Sequence, residues 1–408
     1  MKFGQKMALL RVFIALSLLS LFADITYEGA RSIGGAYLNL LGAPALAAGI
    51  LALGELLSNA MRFFGGFIAY KRPSPTIYWG LIFLGYGLNI SIPFLALVGS
   101  WELALLLFFL ERLGKGIRAP VRDVILAEVT EGFGRGKGFG IHEFLDQIGA
   151  ITGPLVVSTI IFLRGHPAGY REAFWIMWIP TTLAMIMLLS AITMYPRPRA
   201  VAEVGERAVK RRLSSRFWAF TSGTMAAMLG FPYWGIIAYY GQDVANSGIM
   251  AAGEIPLLYL VAMAVDASIA IPIGILYDKF GSRIIITAPA TALLVTPILF
   301  GLGGRLGFYL AAVLWGLVMG VAETVMRAAV ADMTTIEVRG LAYGVYSLGL
   351  GLSWMIGGTL LAYLYQAKQI YAIIILCVIL EAAATLIFTI IQTPGLNPFK
   401  QRRAYTGR

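Results

Sequence analysis

The sequence predicts an all-α integral membrane protein: twelve transmembrane helices in two pseudo-symmetric six-helix bundles, with both termini cytoplasmic. Three observations predict it. The 408 residues are 59% hydrophobic and 13% charged, with a mean hydropathy of +0.79, where soluble domains carry roughly 25% charged residues. Turn-forming and charged clusters divide the chain into twelve apolar runs, each near the roughly 20 residues that cross a bilayer. Sliding the chain by 204 residues aligns Gly116 with Gly320, Glu128 with Asp332, Arg135-Gly136 with Arg339-Gly340, Gly140 with Gly344 and Gly153 with Gly357.

The runs are expected at 8–40, 44–69, 76–98, 101–129, 137–163, 171–194, 217–245, 252–277, 284–303, 306–333, 340–365 and 369–392. The first begins near Met7, is longer than a signal-peptide core and holds two acids and an arginine, so it is retained as a helix. The second follows LGAP, the third KRPSP, and the fifth EGFGRGK, each a turn or charge cluster that ends the preceding helix. Residues 1–195 form the first bundle and 217–393 the second. Between them 196–216, PRPRAVAEVGERAVKRRLSSR, reads as a cytoplasmic linker with a short surface helix around 202–213; residues 394–408 form a basic cytoplasmic tail. Glycines such as Gly65-Gly66 and Gly357-Gly358 are expected at helix contacts, because small residues let backbones approach. Gly114, Gly116 and Pro120 in the fourth run are candidates for a kink instead.

Orientation follows from Lys and Arg. With the N-terminus cytoplasmic, Lys2, Lys6, Lys71, Arg72, Lys137, Lys279, Arg283, Arg339, the linker and the tail fall on one side. The other side holds chiefly Arg164, Arg171, Arg305 and Lys368. This topology explains the net charge of +11 without nucleic acid, and the partner implied is the anionic face of a cytoplasmic membrane. One cysteine, Cys377, excludes an intrachain disulfide and a multi-cysteine metal site. No G-x-x-x-x-G-K-[ST] loop occurs, which argues against ATP hydrolysis within this chain. No cofactor is expected.

The segment GILYDKFGSR, 274–283, resembles the signature loop of the major facilitator superfamily, with Gly274, Asp278, Lys279, Gly281 and Arg283 on its defining positions. Arg112 and Gly116 in RLGKG are similar to that superfamily's arginine-to-glycine motif. FADITYE, ERLGKGIRAPVRD and GFGIHEFLD resemble a prokaryotic branch whose substrates are mostly unassigned. The resemblance covers nearly the whole chain and implies alternating access powered by an ion gradient. Asp278, Lys279 and Arg283 are then implied as part of a cytoplasmic gate. In the first half the matching loop, GFIAYKRPSP, has Tyr70 in place of the acid and Pro73 in place of a glycine, so the acidic half of that lock is missing. Gly140, Gly149, Gly153 and Pro154 resemble the antiporter motif, without its closing glycine pair.

Charges inside the runs carry the functional reading, since each costs at least about 2.5–3.5 kcal/mol at the bilayer centre and must face the protein interior or a wet cavity. Asp24, Glu28 and Arg31 follow i, i+4, i+7 on one stripe, and Glu55, Asn59 and Arg62 repeat that geometry. Glu111, Lys115, Arg118 and Arg122 share one face of the fourth run, with Arg112 and Asp123 on a second. Depth makes Asp24, Glu28, Arg31, Glu55, Asn59, Arg112 and Lys115 the candidate substrate and coupling site. The second bundle adds Tyr233, Trp234, Glu323 and Arg327. Arg62, Arg118, Arg122, Asp123, His142, Glu143 and Asp146 lie nearer the cytoplasm and are candidate gate residues.

A carboxylate whose arginine partner comes and goes binds and releases a proton. Asp24 or Glu28 facing Arg112 fits that role, against the alternative of a permanent ion-pair network. His142 with Asp146 invites a divalent-metal reading, but only two histidines exist and Arg118 and Arg122 lie nearby, so no metal site is expected. The expected function is a secondary transporter, not an enzyme, moving a small amphipathic organic solute by proton-coupled efflux as an antiporter. The alternative is a porter for an anionic metabolite or lysolipid held by the basic stripe of the fourth run. A metal exporter, or a membrane-embedded enzyme using His142, Glu143 and Asp146, ranks below both. One bundle pair suffices for function, so a monomer is expected.

Overall fold

The structure is a computed structural model and describes residues 3–131, 134–198 and 213–391. The expected surface helix at 202–213 lies outside the described residues apart from its last position, and so does the tail. Among the described residues all regular structure is helical. The stretches are α1 (Phe3–Leu40), α2 (Ala45–Lys71), α3 (Pro75–Leu97), α4 (Trp101–Val129), α5 (Arg135–Arg164) and α6 (Ala168–Met194). The second half supplies α7 (215–246), α8 (Glu254–Phe280), α9 (281–302), α10 (Gly304–Met333), α11 (Ile336–Gln366) and α12 (Ile370–Ile391). Nine helical segments among the described residues are long and apolar enough to cross a membrane.

Local chemistry sets the ends. Ser74 caps α3, its Oγ accepting from the Ile77 amide at 3.2 Å with Pro75 in the first turn. Gly281, after α8, has φ +65°, a conformation open to glycine and strained for other residues, which fits its place in the signature loop. The expected run 217–245 is not one helix. Pro232 removes an amide and forces Phe231 into extended backbone (φ −87°, ψ 120°), so α7 divides into Ser215–Gly230 and Trp234–Asn246. In a membrane interior the carbonyls at the break need partners, and Trp315 Nε1 on α10 supplies one, donating to Pro232 O at 3.1 Å. Trp315→Phe leaves that buried carbonyl unsatisfied and is expected to cost about 1–3 kcal/mol in detergent unfolding. The matched change at exposed Trp218 should leave the unfolding midpoint unmoved, and equal effects from both would refute this account.

The internal repeat has a packing counterpart. In the first half α1 packs on α5 and α6, and α2 on α4; in the second α7 packs on α11 and α12, and α8 on α10. The halves meet through α1 with α7, α2 with α11 and α5 with α8. Two of the repeat-matched glycine pairs sit at equivalent contacts, whereas Gly140 and Gly344 both border open space. A Cβ on Gly116 (α4) would fall 2.2 Å from Ser58 O on α2, and one on Gly320 (α10) 2.5 Å from Ile269 on α8. Gly153 (α5) meets Ile25 O of α1 at 2.4 Å, as Gly357 (α11) meets Leu229 O of α7 at 2.3 Å. Gly114 lies equally close to Gly85 O of α3, at 2.5 Å, so the glycines of α4 serve close contact on two sides.

One end of the interface between the halves is closed by direct backbone contact. A Cβ on Gly35 (α1) would lie 1.7 Å from Gly235 O (α7), and one on Gly49 (α2) 2.3 Å from Gly358 O (α11). Trp234 Nε1 donates to Ser32 O at 3.2 Å, Tyr239 Oη to Ala43 O at 2.8 Å, and Asn39 Nδ2 to Asp243 Oδ1 at 2.7 Å. The opposite end, bearing the α2–α3 and α10–α11 connections, is parted around a cavity.

Candidate functional site

That cavity measures about 520 Å³ and lies between the halves, within the range of small-molecule sites. The first half presents Arg31, Glu55, Asn59, Arg62 and Lys115; the second presents Glu323, Arg327, Tyr343, Tyr346 and Trp354. A charged wall thus faces a largely aromatic one. Glu323 is seated by a wide i→i+5 turn, Ala322–Met326, within α10, a distortion frequent at functional sites.

Behind the charged wall runs an ion-pair chain through three helices. Glu28 Oε1 is 3.7 Å from Arg31 Nη1 and 4.0 Å from Lys115 Nζ. Arg31 Nη2 is 3.5 Å from Glu55 Oε1, which Arg112 Nη1 approaches to 3.3 Å, while Arg112 Nε donates to Glu111 Oε2 at 2.5 Å. Three acids and three bases balance, which is how charges persist in a low-dielectric interior. Arg112 therefore binds Glu55 and Glu111, while Glu28 is held by Arg31 and Lys115. Asp24 lies at the α1–α5 seam, where its Cβ is 2.8 Å from a Cβ built on Gly149. It is buried and, among the described residues, has no ion-pair partner within 4 Å.

Two residues that periodicity did not single out join this cluster. Tyr27 lies under Lys115 (4.0 Å to the ring centroid), Arg112 (4.9 Å) and Arg118 (5.9 Å), a cation–π platform for three positive charges. Its signal was its place inside FADITYE, between Asp24 and Glu28. Tyr259 on α8 donates its hydroxyl to Glu28 Oε2 at 2.5 Å, tying the second half to the first; nothing in the sequence marks it. Of the two aromatic candidates on α7, Tyr233 borders the cluster, with Arg31 5.9 Å from its ring centroid. Trp234 is buried against Tyr259 and Trp315 in the closed end, away from the cavity.

The basic face of α4 divides. Lys115 reaches the cavity. Arg118 is buried toward α3, donating to Gly85 O at 3.2 Å and lying 4.2 Å from the Tyr86 ring. Arg122 pairs with Asp123 at 2.8 Å and donates to Ser20 Oγ at 3.2 Å. A stripe read from periodicity alone is shared among three neighbours because α1, α2 and α3 surround α4. His142 is buried, 3.6 Å from Asp146 Oδ2 and 3.2 Å from Ser17 Oγ of α1, whereas Glu143 is exposed on another face. Among the described residues no group of three or more His, Cys, Asp and Glu side chains converges as a metal cage would require. Asp278, Lys279 and Arg283 are exposed, at the end where the cavity is open. Glu323 and Arg327 both reach the lumen, but among the described residues no ion pair joins them.

Apolar helices enclosing one charged and aromatic chamber between two halves define a membrane carrier for small solutes. The profile of the Major Facilitator Superfamily matches residues 16–305 and 219–405, and the chain belongs to that superfamily. It is a multi-pass membrane transporter, not an enzyme. It is 32% identical over 397 residues to the uncharacterized protein Rv2265 of Mycobacterium tuberculosis, covering 95% of this chain and 94% of that one. It is 26% identical over 369 residues to the uncharacterized MFS-type transporter MJ1317 of Methanocaldococcus jannaschii, covering 85% and 86%. Its fold matches the crystal structure of the nucleoside transporter NupG, with a TM-score of 0.70 at 15% identity, over 93% of this chain and 98% of that one. It also matches a bacterial homologue of the human lysosomal transporter Spinster in an inward-facing, unoccupied conformation, with a TM-score of 0.69 at 14% identity, over 94% and 97%.

Proposed function

We propose that the protein is a proton-coupled secondary transporter that exports a small amphipathic organic solute across the cytoplasmic membrane by alternating access. The observation that carries this reading is the cavity itself, closed at one end by backbone contact, open at the other, and lined by charge on one side and by aromatic rings with Glu323 and Arg327 on the other. Residues 1–195 and 217–393 act as two six-helix bundles joined by 196–216, and the repeated packing of matched glycines supports their moving as units. All twelve stretches cross the membrane with both termini cytoplasmic. Nine segments satisfy length and composition alone. Three features lower the number without lowering the crossings: α4 is rich in charge, α7 is broken at Pro232, and α8 runs on into α9. The basic loops then put the open end of the cavity toward the cytoplasm, and one chain suffices for the cycle.

Asp24 is the proposed proton carrier, because it is a buried carboxylate that no cation among the described residues holds in an ion pair. Glu28, Arg31, Glu55, Arg112 and Lys115 instead form the charged scaffold behind the substrate. The antiporter-like glycines support exchange: Gly149 and Gly153 bring α5 against α1 beside Asp24. The cytoplasmic gate is proposed at Asp278, Lys279 and Arg283 with the Arg122–Asp123 pair. In proteoliposomes enclosing a pH dye, an amphipathic substrate is expected to drive proton movement that a protonophore collapses. Asp24→Asn should bind the substrate yet move no protons. Transport indifferent to protonophore and to Asp24→Asn would remove proton coupling from this reading, and absence of solute movement would remove transport.

A further inference from the structure

We propose that the cavity selects an organic anion, whose acidic head bridges Arg62 of the first half and Arg327 of the second. This rests on the transport reading above and names the class of its substrate. The charged side chains lining the cavity are Arg31, Arg62, Lys115 and Arg327 against Glu55 and Glu323, an excess of two positive charges. Arg31 and Lys115 are engaged by Glu28 and Glu55. Arg62 and Arg327 are different: among the described residues neither has a carboxylate within 4 Å, and both are exposed to the lumen. They line the same cavity, one from each half. Two like charges lining one cavity from opposite halves attract an anion between them, and a guanidinium fork matches the oxygens of a carboxylate or phosphate.

The wall beyond fits the rest of such a molecule. Met228, Met319, Tyr346 and Trp354 give an apolar and aromatic face, and Gly340 and Gly344 leave open space where a side chain would stand. Because the arginines belong to opposite halves, an anion bridging them draws the two halves together at the open end. Binding thus favours closure of that end, as a carrier requires of its substrate.

The test uses the full chain in lipid nanodiscs with three probes of one apolar body: 4-phenylbutyrate, 4-phenylbutylammonium and 4-phenylbutanol. The carboxylate is expected to raise the melting temperature and to bind at least about tenfold more tightly than the ammonium or the alcohol. Arg62→Gln and Arg327→Gln each should weaken carboxylate binding by about 10- to 100-fold, the range for a hydrogen bond to a charged group. Both side chains face the lumen, so the ligand-free melting temperature should hold, and Arg62→Lys should recover part of the affinity. Equal or tighter binding of the ammonium, no carboxylate shift, or undiminished carboxylate binding in both glutamine variants each overturns the inference. Cysteine labelling at Ser347→Cys, in the cavity wall, separates this from the reading beneath it. If introducing Gly35→Ala reduces labelling while the carboxylate is not preferred, the anion is wrong and rocking stands. If labelling ignores Gly35→Ala, rocking itself is wrong.

Discussion

Gly35→Ala is expected to reduce transport at least about 100-fold and to move the cavity toward its occluded or oppositely open form. The position is defined by backbone: a methyl there would lie 1.7 Å from Gly235 O, 2.7 Å from Gly235 C and 3.0 Å from Tyr239 N. None of these atoms ends a flexible side chain, so the clash is relieved only by parting α1 from α7. That parting undoes the closure of one end and with it the hydrogen bonds of Trp234 to Ser32 and Asn39 to Asp243. About 5.5 kcal/mol reverses a two-state balance from 99:1 to 1:99, and an overlap this deep imposes a penalty of that order because packed interfaces are bistable rather than elastic. Gly80→Ala is the control, since nothing lies within 4 Å of its Cβ. Solute flux and Ser347→Cys labelling in both variants decide the matter. Wild-type flux in Gly35→Ala would mean that the contact is not needed in the cycle.

Arg112→Met is expected to be the most destabilising single change in the charged cluster, by about 3–5 kcal/mol, because it leaves the buried Glu111 carboxylate without its cation. Glu111 is 2% exposed and Arg112 6%, so water cannot replace the lost partner. The same change strips Glu55 of one guanidinium and Tyr27 of one of its cations. Adding Glu111→Gln removes the stranded charge, and the double variant should recover much of the loss, a coupling that detergent unfolding of the four proteins measures directly. A single variant within about 0.5 kcal/mol of wild type would show that the pair adds nothing.

Helix positions, the twofold repeat and the role of its glycines were legible because each depends on local spacing. Apolar length marks a crossing, and an alignment at 204 residues marks equivalent contacts. Pro232 signals the interruption in α7, but an apolar run disguises a break at which a distant Trp315 satisfies a carbonyl. In the site, periodicity placed Glu28, Arg31 and Glu55 on inward faces. It could not assign Arg112 to Glu55 and Glu111, since which helix stands opposite is a property of tertiary packing. For the same reason the chemistry of Arg118 and Trp234 points to a functional role in the sequence, whereas neighbours that sequence spacing does not reveal enclose both. Tyr259 was invisible, a tyrosine in an apolar run whose importance lies wholly in its reach to Glu28.

The equivalent glycine contacts in the two halves bear on how this chain can change. Gly116, Gly153 and Gly357 settle against carbonyls of α2, α1 and α7, and Gly320 against the Ile269 side chain of α8, so helix meets helix chiefly through small residues away from the chamber lining. A gene that doubled such a unit inherits two working scaffolds at once. Each copy is then free to alter the few side chains that look inward, and here one acquired a mesh of acids and bases while the other acquired rings. Helix contact draws largely on positions other than those that face the cargo, so outside the ion-pair chain new cargo can be tried at little risk to folding.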